Sequence, residues 1–296
     1  MTNYLLPKQS YLTGLEAEEA DKQRAISVLA ELVAIEPSLM AYVHNEEVRD
    51  ALMSEVSSLL TGIDTTELRD FGKLPGNDEM ICELIISATC TLYPTKQNEI
   101  LSDVLPLHFK NVGALAEKIA QKIYGEVGPE VRIGGELHDV GKVDQGVRGV
   151  ISNERALTDD EYTEMQKHSG LGYLVLDMLG VSEEVKEIAL KHHEKLDGTG
   201  YPLGIGADQL PMAVRIVAAA DTIDAILAVR PGRPDGLPIQ VVMEVLKEKV
   251  GSKYDQEVVQ AFIEVLVDAG MHDGEMLLIS GETHLRTSDI LARLVA

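Results

Sequence analysis

Histidine and aspartate stand side by side in the stretch HDVGK, residues 138–142, and a lysine follows three residues after the aspartate. Neighbouring residues on a helix do not share a face. An imidazole and a carboxylate at this spacing therefore indicate a site at which both side chains reach for one point. A single His-Asp pair is weak evidence for such a site. Its interpretation depends on the other histidines of the chain.

Four more histidines accompany this pair, His108, His168, His192 and His193, and Asp221 follows as a further carboxylate. Each histidine lies in or at the end of a predicted helix, and helices stacked as a bundle can direct side chains to one central point. A single histidine is more often an ordinary core or surface residue. The adjacent histidines His192 and His193, hereafter the histidine doublet, favour a common binding site. Residues about 100° apart on a helix reach one centre only where the helix ends. The stretch KHHEKLDGTGYP has this form, since it runs into a glycine-rich turn.

The number of these ligands indicates two metal ions. Five imidazoles and two carboxylates exceed the ligand set of one tetrahedral zinc ion, whereas a bridging Asp139 gives each of two ions four protein ligands. Mixed nitrogen and oxygen ligands with open positions favour iron or manganese, with zinc, nickel and cobalt as alternatives. Two ions about 3.5–4 Å apart bind a phosphoryl group and lower the pKa of a water molecule. Lys142, one turn after His138, is placed to meet a phosphate oxygen.

Helices must position these side chains, and apolar residues recur at helical spacing along most of the chain. The pattern predicts an all-α fold with a small β-hairpin near the C-terminus, where Gly274 and Gly281 bracket a short apolar run. Thr158 and Glu161 form a capping-box pattern at the start of a helix. In the region that carries the histidines, helices are predicted over 98–124, 130–141, 158–179, 183–192, 211–229, 238–250 and 255–269.

Composition narrows the function classes. With 296 residues, 45% of them hydrophobic, the chain can bury a large core. A formal net charge of −23 argues against a non-specific binder of nucleic-acid polymers. If the substrate is anionic, metal ions and a few basic residues must meet its charge. The start of the chain does not resemble a signal peptide, and no apolar segment reaches the roughly 18 residues of a membrane span. Two cysteines, Cys82 and Cys90, fit core positions and a reducing cytoplasm.

Three stretches together resemble the HD-GYP family, a branch of the HD phosphohydrolases: HDVGK, HHEKLDGTGYP and AVRIVAAADTIDAILAVRPGR. The resemblance covers residues 98–270 and implies an HD-domain helical bundle with a bimetal centre. A further helical domain, open to a regulatory role, is expected over 1–97, and a hairpin with a final helix over 271–296. The resemblance implies hydrolysis of cyclic di-GMP to linear pGpG, and in some members onward to GMP.

The resemblance also assigns roles to individual residues. Asp139 would bridge the ions, and Lys142 would polarise the scissile phosphate; both are assigned to catalysis. One ion would be held by His108, His138, Asp139 and Asp221, and the other by Asp139, His168, His192 and His193. Contacts to the substrate are implied for Lys142, Tyr201, Asp224, Arg230 and Arg233. Arginine suits this task because its planar fork meets a phosphate through two hydrogen bonds.

The sequence departs from the family pattern at several positions. Asn111 replaces an arginine, Ile223 replaces a tyrosine, Gly232 stands where the family often has the tyrosine of RPYR, and the segment 143–156 differs as a whole. The loss of two aromatic groups is expected to alter the guanine pocket, so a hybrid cyclic GMP-AMP and a linear dinucleotide are alternative substrates.

Other functions also stay open. The chain could be a receptor that binds a cyclic dinucleotide and signals through a protein partner or as a homodimer, or an HD phosphohydrolase for another nucleotide. Some members of the family hold a third ion through a glutamate one turn before the first histidine. That position is Val104 here, which has no ligand atom, so two ions and a linear dinucleotide product are predicted.

Overall fold

The computed structural model describes residues 99–151, 155–228 and 236–272, together with Cys82, Glu275, Met276, Leu294 and Val295. Across the three long segments the chain forms eight α-helices, with 3-10 turns at Val140–Val143 and Ala207–Gln209. The helices, in chain order, are α1 Glu99–Tyr124, α2 Glu130–Leu137, α3 Gln145–Ile151, α4 Asp159–Met178, α5 Glu183–Lys191, α6 Met212–Leu227, α7 Ile239–Lys249 and α8 Gln256–Asp268.

The predicted all-α fold is confirmed, and each of the seven helices predicted over 98–270 has a counterpart in the structure. One predicted boundary is wrong, because the helix expected over 130–141 ends at Leu137. A 3-10 turn follows, in which the Lys142 N–H donates to the Asp139 carbonyl at 3.0 Å. His138 and Asp139 therefore lie at the break between two helical forms, where adjacent side chains can turn towards one centre.

The core of the bundle forms around α1, which packs against α2, α6 and α8. Its apolar stripe is removed from water by the apolar faces of α6 and α8, and this burial is the main favourable contribution to folding. Fully buried members of this core are Leu115 and Ile119 of α1, Val217 and Ala220 of α6, and Phe262 of α8. Helix α4 packs against α5 and the first 3-10 turn, and α5 in turn packs against α2.

Helix α4 is fixed at both its start and its middle. The predicted capping box is confirmed: the Thr158 hydroxyl accepts the Glu161 N–H, and the Glu161 carboxylate accepts the Thr158 N–H. Further along, the helix approaches the 3-10 turn so closely that a Cβ on Gly141 would lie 1.9 Å from the carbonyl oxygen of His168. Glycine at this position therefore lets the turn after α2 meet α4 at the level of His168.

Helix α3, Gln145–Ile151, is not predicted from the sequence. The Asp144 carboxylate accepts the Val147 N–H at 3.1 Å and so caps the first turn of this helix. Val147, Val150 and Ile151 have helical spacing, but the stretch is only seven residues long and carries two glycines, which have a low helix propensity.

The predicted domain over 1–97 lies outside the described residues except for Cys82. This cysteine is buried, as expected, and its Sγ donates to Glu136 of α2 at 2.9 Å. At the other end, Met271–His272 and Glu275–Met276 pair as two-residue antiparallel strands. The predicted hairpin between Gly274 and Gly281 is not supported by the described residues, and the predicted last helix stays a prediction. Within the described part of the chain, no helix combines the length and the apolar character that a bilayer crossing needs.

Candidate metal centre

Five helices bring the seven predicted metal ligands to one place. His108 belongs to α1, His168 to α4 and Asp221 to α6, whereas the His138–Asp139 pair and the His192–His193 doublet directly follow α2 and α5. Both doublets thus stand at helix ends, where adjacent side chains can face the same point. His108, His138, Asp139, His168 and His192 are buried, and His193 and Asp221 are partly exposed.

The ligand atoms form two clusters with Asp139 between them. The first cluster consists of His108, His138 and Asp221, and the second of His168, His192 and His193. The potential ligand atoms lie within 4.8 Å of one another in the first cluster, and likewise in the second cluster together with Asp139. These groups match the division of ligands that the family resemblance implies.

The two carboxylate oxygens of Asp139 face different clusters. Its Oδ2 lies 3.7 Å from His108 Nε2 and 3.3 Å from His138 Nε2. Its Oδ1 lies 3.2 Å from His168 Nε2 and 3.6 Å from His192 Nε2. One carboxylate can therefore offer one oxygen to each of two metal ions.

Hydrogen bonds fix which nitrogen of each imidazole faces the centre. The Nδ1 atoms of His138, His168 and His192 lie 2.7, 2.6 and 2.9 Å from the backbone carbonyls three residues earlier in the chain. A carbonyl can only accept, so Nδ1 carries the proton and the lone pair of Nε2 points inwards. Metal-bound histidines use this arrangement, in which a second contact orients the ring.

The ionisation states suit a cation. Burial lowers the pKa of His192 to about 4, and burial together with the neighbouring His192 and His168 holds the pKa of His193 well below its ordinary value. Both imidazoles are therefore neutral at pH 7. Burial alone would raise the pKa of Asp139, but Lys142 and His138 hold that pKa well below its ordinary value, so the carboxylate is charged.

Two buried atoms at the centre show that the residues present fit a metal. His138 Nε2 and Asp139 Oδ1 have no hydrogen-bond partner. Buried polar atoms are nearly always paired, because an unpaired one costs about 1–3 kcal/mol. A divalent ion in each cluster would satisfy these atoms, and the imidazole and carboxylate donors are those that transition-metal ions accept.

Asp224 has a different place from the one predicted. It is completely buried, with Oδ2 2.6 Å from His108 Nδ1, and its Oδ1 accepts from Asn111 Nδ2 at 2.9 Å. Both oxygens are thus engaged by side chains of α1, and this geometry gives no support to the predicted contact of Asp224 with the substrate. Burial alone would lower the pKa of His108, but the neighbouring carboxylates of Asp139 and Asp224 raise it to about 9. The departure at Asn111 therefore falls on a contact that orients His108 through Asp224.

Lys142 and Tyr201 both lie next to the proposed metal ligands, and their predicted roles towards a substrate stay predictions. The Lys142 ammonium contacts Asp139 Oδ2, and its side chain is partly exposed. The Tyr201 ring stacks on His193 with 4.7 Å between ring centroids and 29° between the planes. Arg230 and Arg233, the other two predicted substrate contacts, lie outside the described residues.

Glu194 is a site residue that the sequence analysis missed. Its buried carboxylate accepts the backbone N–H groups of Leu203, Gly204 and Ile205 at 2.6, 3.0 and 3.2 Å. It thereby ties the loop that carries Tyr201 to the His192–His193 doublet. The loop also packs closely on Glu194, since a Cβ on Gly200 would lie only 2.4 Å from the Glu194 Cα. The signal was present in the sequence, since the glutamate directly follows the doublet and the glycine-rich turn comes next.

Ile223 stands where the family pattern has a tyrosine, and the structure shows the surroundings of this position. Its side chain is fully buried among the apolar residues of the core. Ile223 itself is therefore a core residue in this fold. The expected effect of this departure on a guanine pocket has no support in the geometry.

An all-α bundle that gathers two His/Asp clusters around one shared carboxylate defines a protein with a candidate binuclear metal centre. The sequence model of the HD domain matches residues 93–258. This match covers more than half of the chain, which belongs to the HD domain family, as its motifs predicted. The HDVGK, HHEKLDGTGYP and AAAD motifs all lie within the matched segment.

Curated relatives include phosphodiesterases from two bacteria. The chain is 33% identical over 162 residues to the cyclic di-GMP phosphodiesterase of Thermotoga maritima, over 53% of this chain and 44% of that protein. It is 30% identical over 246 residues to a probable cyclic di-GMP phosphodiesterase of Vibrio cholerae, over 77% of this chain and 53% of that protein. A 3'3'-cGAMP-specific phosphodiesterase 3 of Vibrio cholerae is 35% identical over 122 residues, over 41% of this chain and 26% of that protein. The chain thus spans about half or less of the length of these relatives.

Among solved structures, an HDG"Y"P protein from Bdellovibrio bacteriovorus is similar to 74% of this chain and 79% of that one. The sequence identity is 16% and the TM-score is 0.48.

Proposed function

We propose that this chain is a metal-dependent phosphodiesterase that hydrolyses cyclic di-GMP to linear pGpG. The observation that carries the proposal is the placement of Asp139, whose two oxygens face two separate histidine clusters while Lys142 contacts the same carboxylate. The relatives named as cyclic di-GMP phosphodiesterases support the substrate class.

The ligand assignment follows from the two clusters. His108, His138 and Asp221 would hold one ion and His168, His192 and His193 the other, with one oxygen of Asp139 for each. When bound, two such ions lower the pKa of a water molecule and neutralise charge that develops on the phosphoryl oxygens. Iron or manganese suits this mixture of donors, and zinc, nickel and cobalt are alternatives.

The chain itself supplies charge for an anionic substrate. Lys142 is partly exposed and contacts Asp139, so its ammonium can turn to a non-bridging phosphate oxygen without leaving the centre. A positive group placed where charge develops in the transition state is an effective catalytic device. In a chain with a net charge of −23 such local cations are essential for substrate binding, and we assign Arg230 and Arg233 the same task.

Tyr201 forms part of the wall of the site. Its ring stacks on His193, a member of the second cluster. Burial and the nearby Tyr162 hydroxyl raise the pKa of Tyr201 above its ordinary value. The hydroxyl stays neutral at physiological pH and is available as a hydrogen-bond donor to the substrate.

The activity named for other relatives supports 3'3'-cGAMP as a second candidate substrate. Three of them are 3'3'-cGAMP-specific phosphodiesterases of Vibrio cholerae. A hybrid cyclic GMP-AMP presents the same phosphodiester to the centre and differs only in one base. We therefore rank it directly after cyclic di-GMP.

The test is a product assay with purified protein loaded anaerobically with Mn(II) or Fe(II). Cyclic di-GMP and 3'3'-cGAMP are supplied separately, and the products are resolved by chromatography. We expect pGpG from cyclic di-GMP, no product after treatment with a chelator, and no product from Asp139→Ala. Glu126→Ala, which changes an exposed carboxylate just after α1, is the matched control and should retain full activity. Metal-loaded wild-type protein that binds cyclic di-GMP without cleaving it would show a receptor instead.

A further inference from the structure

An exposed tyrosine lies at the edge of the metal centre. Tyr162 stands in the first turn of α4 and is 47% exposed. Its ring centroid lies 6.4 Å from that of Tyr201, with 78° between the two planes. Since Tyr201 stacks on His193, an aromatic contact runs outward from a candidate metal ligand to a ring face that meets solvent.

Both tyrosines are presented by fixed backbone. The capping box of Thr158 and Glu161 holds the turn that carries Tyr162, and the Glu161 carboxylate also receives two hydrogen bonds from Arg155, each at 2.7 Å. The carboxylate of Glu194 holds the loop after Tyr201 through three backbone N–H groups. A rigid aromatic surface loses little entropy when a ligand covers it, which favours binding.

The charges near Tyr162 select a neutral occupant. The first turn of α4, which carries Tyr162, contains Asp159, Asp160 and Glu161, and of these only Glu161 is paired with the Arg155 guanidinium in the described contacts. A phosphate group would be repelled there, whereas an uncharged flat ring would not. Nucleobases stack on aromatic side chains because every base has a π-face.

We propose that Tyr162 is a stacking platform for one purine base of the cyclic dinucleotide. The phosphodiester would lie at the two clusters near Lys142, and the base next to it would extend past Tyr201 onto the exposed ring. This subsite rests on the proposed function. Tyr162 supplies the exposed aromatic surface in the described part of the chain that adjoins the centre, because Tyr124, which is 56% exposed, stands at the far end of α1.

Steady-state kinetics give the first test. For Tyr162→Ala with cyclic di-GMP we expect a rise of about 10-fold in KM, with kcat and the bound metal unchanged. Tyr162→Phe keeps the ring and should behave like the wild type. Tyr162→Leu keeps apolar bulk without a π-face and should behave like the alanine variant. Tyr124→Ala is the matched control and should leave KM unchanged.

Fluorescence gives a test that does not depend on turnover. The chain contains no tryptophan, so Tyr162→Trp and Tyr124→Trp each introduce a single reporter. Rapid mixing of the Mn(II)-loaded variants with cyclic di-GMP should quench the first reporter within the binding phase and leave the second unchanged, because a stacked guanine quenches indole emission.

The outcomes separate the subsite from the proposed function. If the wild type cleaves cyclic di-GMP while Tyr162→Ala has a normal KM and Tyr162→Trp is not quenched, the stacking platform is wrong and the activity stands. If the wild type cleaves no cyclic dinucleotide, the proposed function is wrong, and quenching of Tyr162→Trp by the same ligand still decides the subsite. Equal KM values for the leucine variant and the wild type would show apolar cover rather than stacking.

Discussion

Asp224 should control the affinity of the centre for one of its two proposed metal ions, although it is a ligand of neither ion. It is completely buried and contacts His108 Nδ1 at 2.6 Å, while Asn111 donates to its other oxygen at 2.9 Å. Replacement by alanine leaves two buried donors without an acceptor and frees the His108 ring to rotate. Replacement by asparagine keeps an acceptor for His108 but removes the negative charge that strengthens the bond.

The size of the effect follows from this geometry. Loss of a contact that orients a metal-bound histidine lowers metal affinity about 10- to 100-fold, which corresponds to about 1.4–2.8 kcal/mol. The short, fully buried bond places Asp224→Ala near the upper end and Asp224→Asn near the lower end. The loss should fall on the ion of the first cluster, because His108 belongs to that cluster.

The assay is a Mn(II) titration by calorimetry against a competing chelator, which resolves two binding steps. We expect one step to weaken and the other to keep its wild-type affinity. Asp177→Asn is the matched control, because that carboxylate accepts a hydrogen bond from Lys186 outside the centre; both steps should be unchanged. Equal weakening of both steps, or of neither, in Asp224→Ala would refute the role of this residue.

Three further predictions address the bridge, the substrate contact and the proton balance. Asp139→Ala should remove both ions and abolish hydrolysis, and two retained equivalents of metal in elemental analysis would show that the ligand assignment is wrong. Arg230→Ala should raise the KM for cyclic di-GMP with metal content intact, and an unchanged KM would rule out its role in binding. Because the pKa of His108 is raised to about 9, metal-free protein carries a proton on this ring at pH 7.5 that a metal must displace. Metal affinity should therefore rise about tenfold per pH unit up to about pH 9 and then level off, and calorimetry in buffers of different ionisation enthalpy should detect the released proton; its absence would contradict the charge state of His108.

The periodic parts of the sequence were sufficient to predict most of the fold. Long apolar stripes located α1, α6 and α8, since burial of such a stripe dominates helix stability in a protein. The boundary at Leu137 could not be predicted in this way. It depends on the close approach of Gly141 to His168, a tertiary contact between segments that are distant in sequence.

The sequence likewise predicts some features of the candidate site and not others. The ligand types and the doublet are visible in the sequence, and so is the need for a shared carboxylate. The roles of Asp224 and Glu194 are not, because each acts through a hydrogen bond whose partner is fixed only by folding. Asp224 is 113 residues from Asn111 along the chain, and no local pattern reports such a contact.

The number of metal ions that activity requires can be measured in one titration. Metal-free protein receives increasing equivalents of Mn(II) under anaerobic conditions, and the rate of pGpG formation from cyclic di-GMP is measured at each point together with the bound metal. We expect little activity up to one equivalent, a rise as the second ion binds, and no further rise beyond two. Full activity at one equivalent, a requirement for a third, or hydrolysis by metal-free protein would contradict a centre in which Asp139 joins two ions.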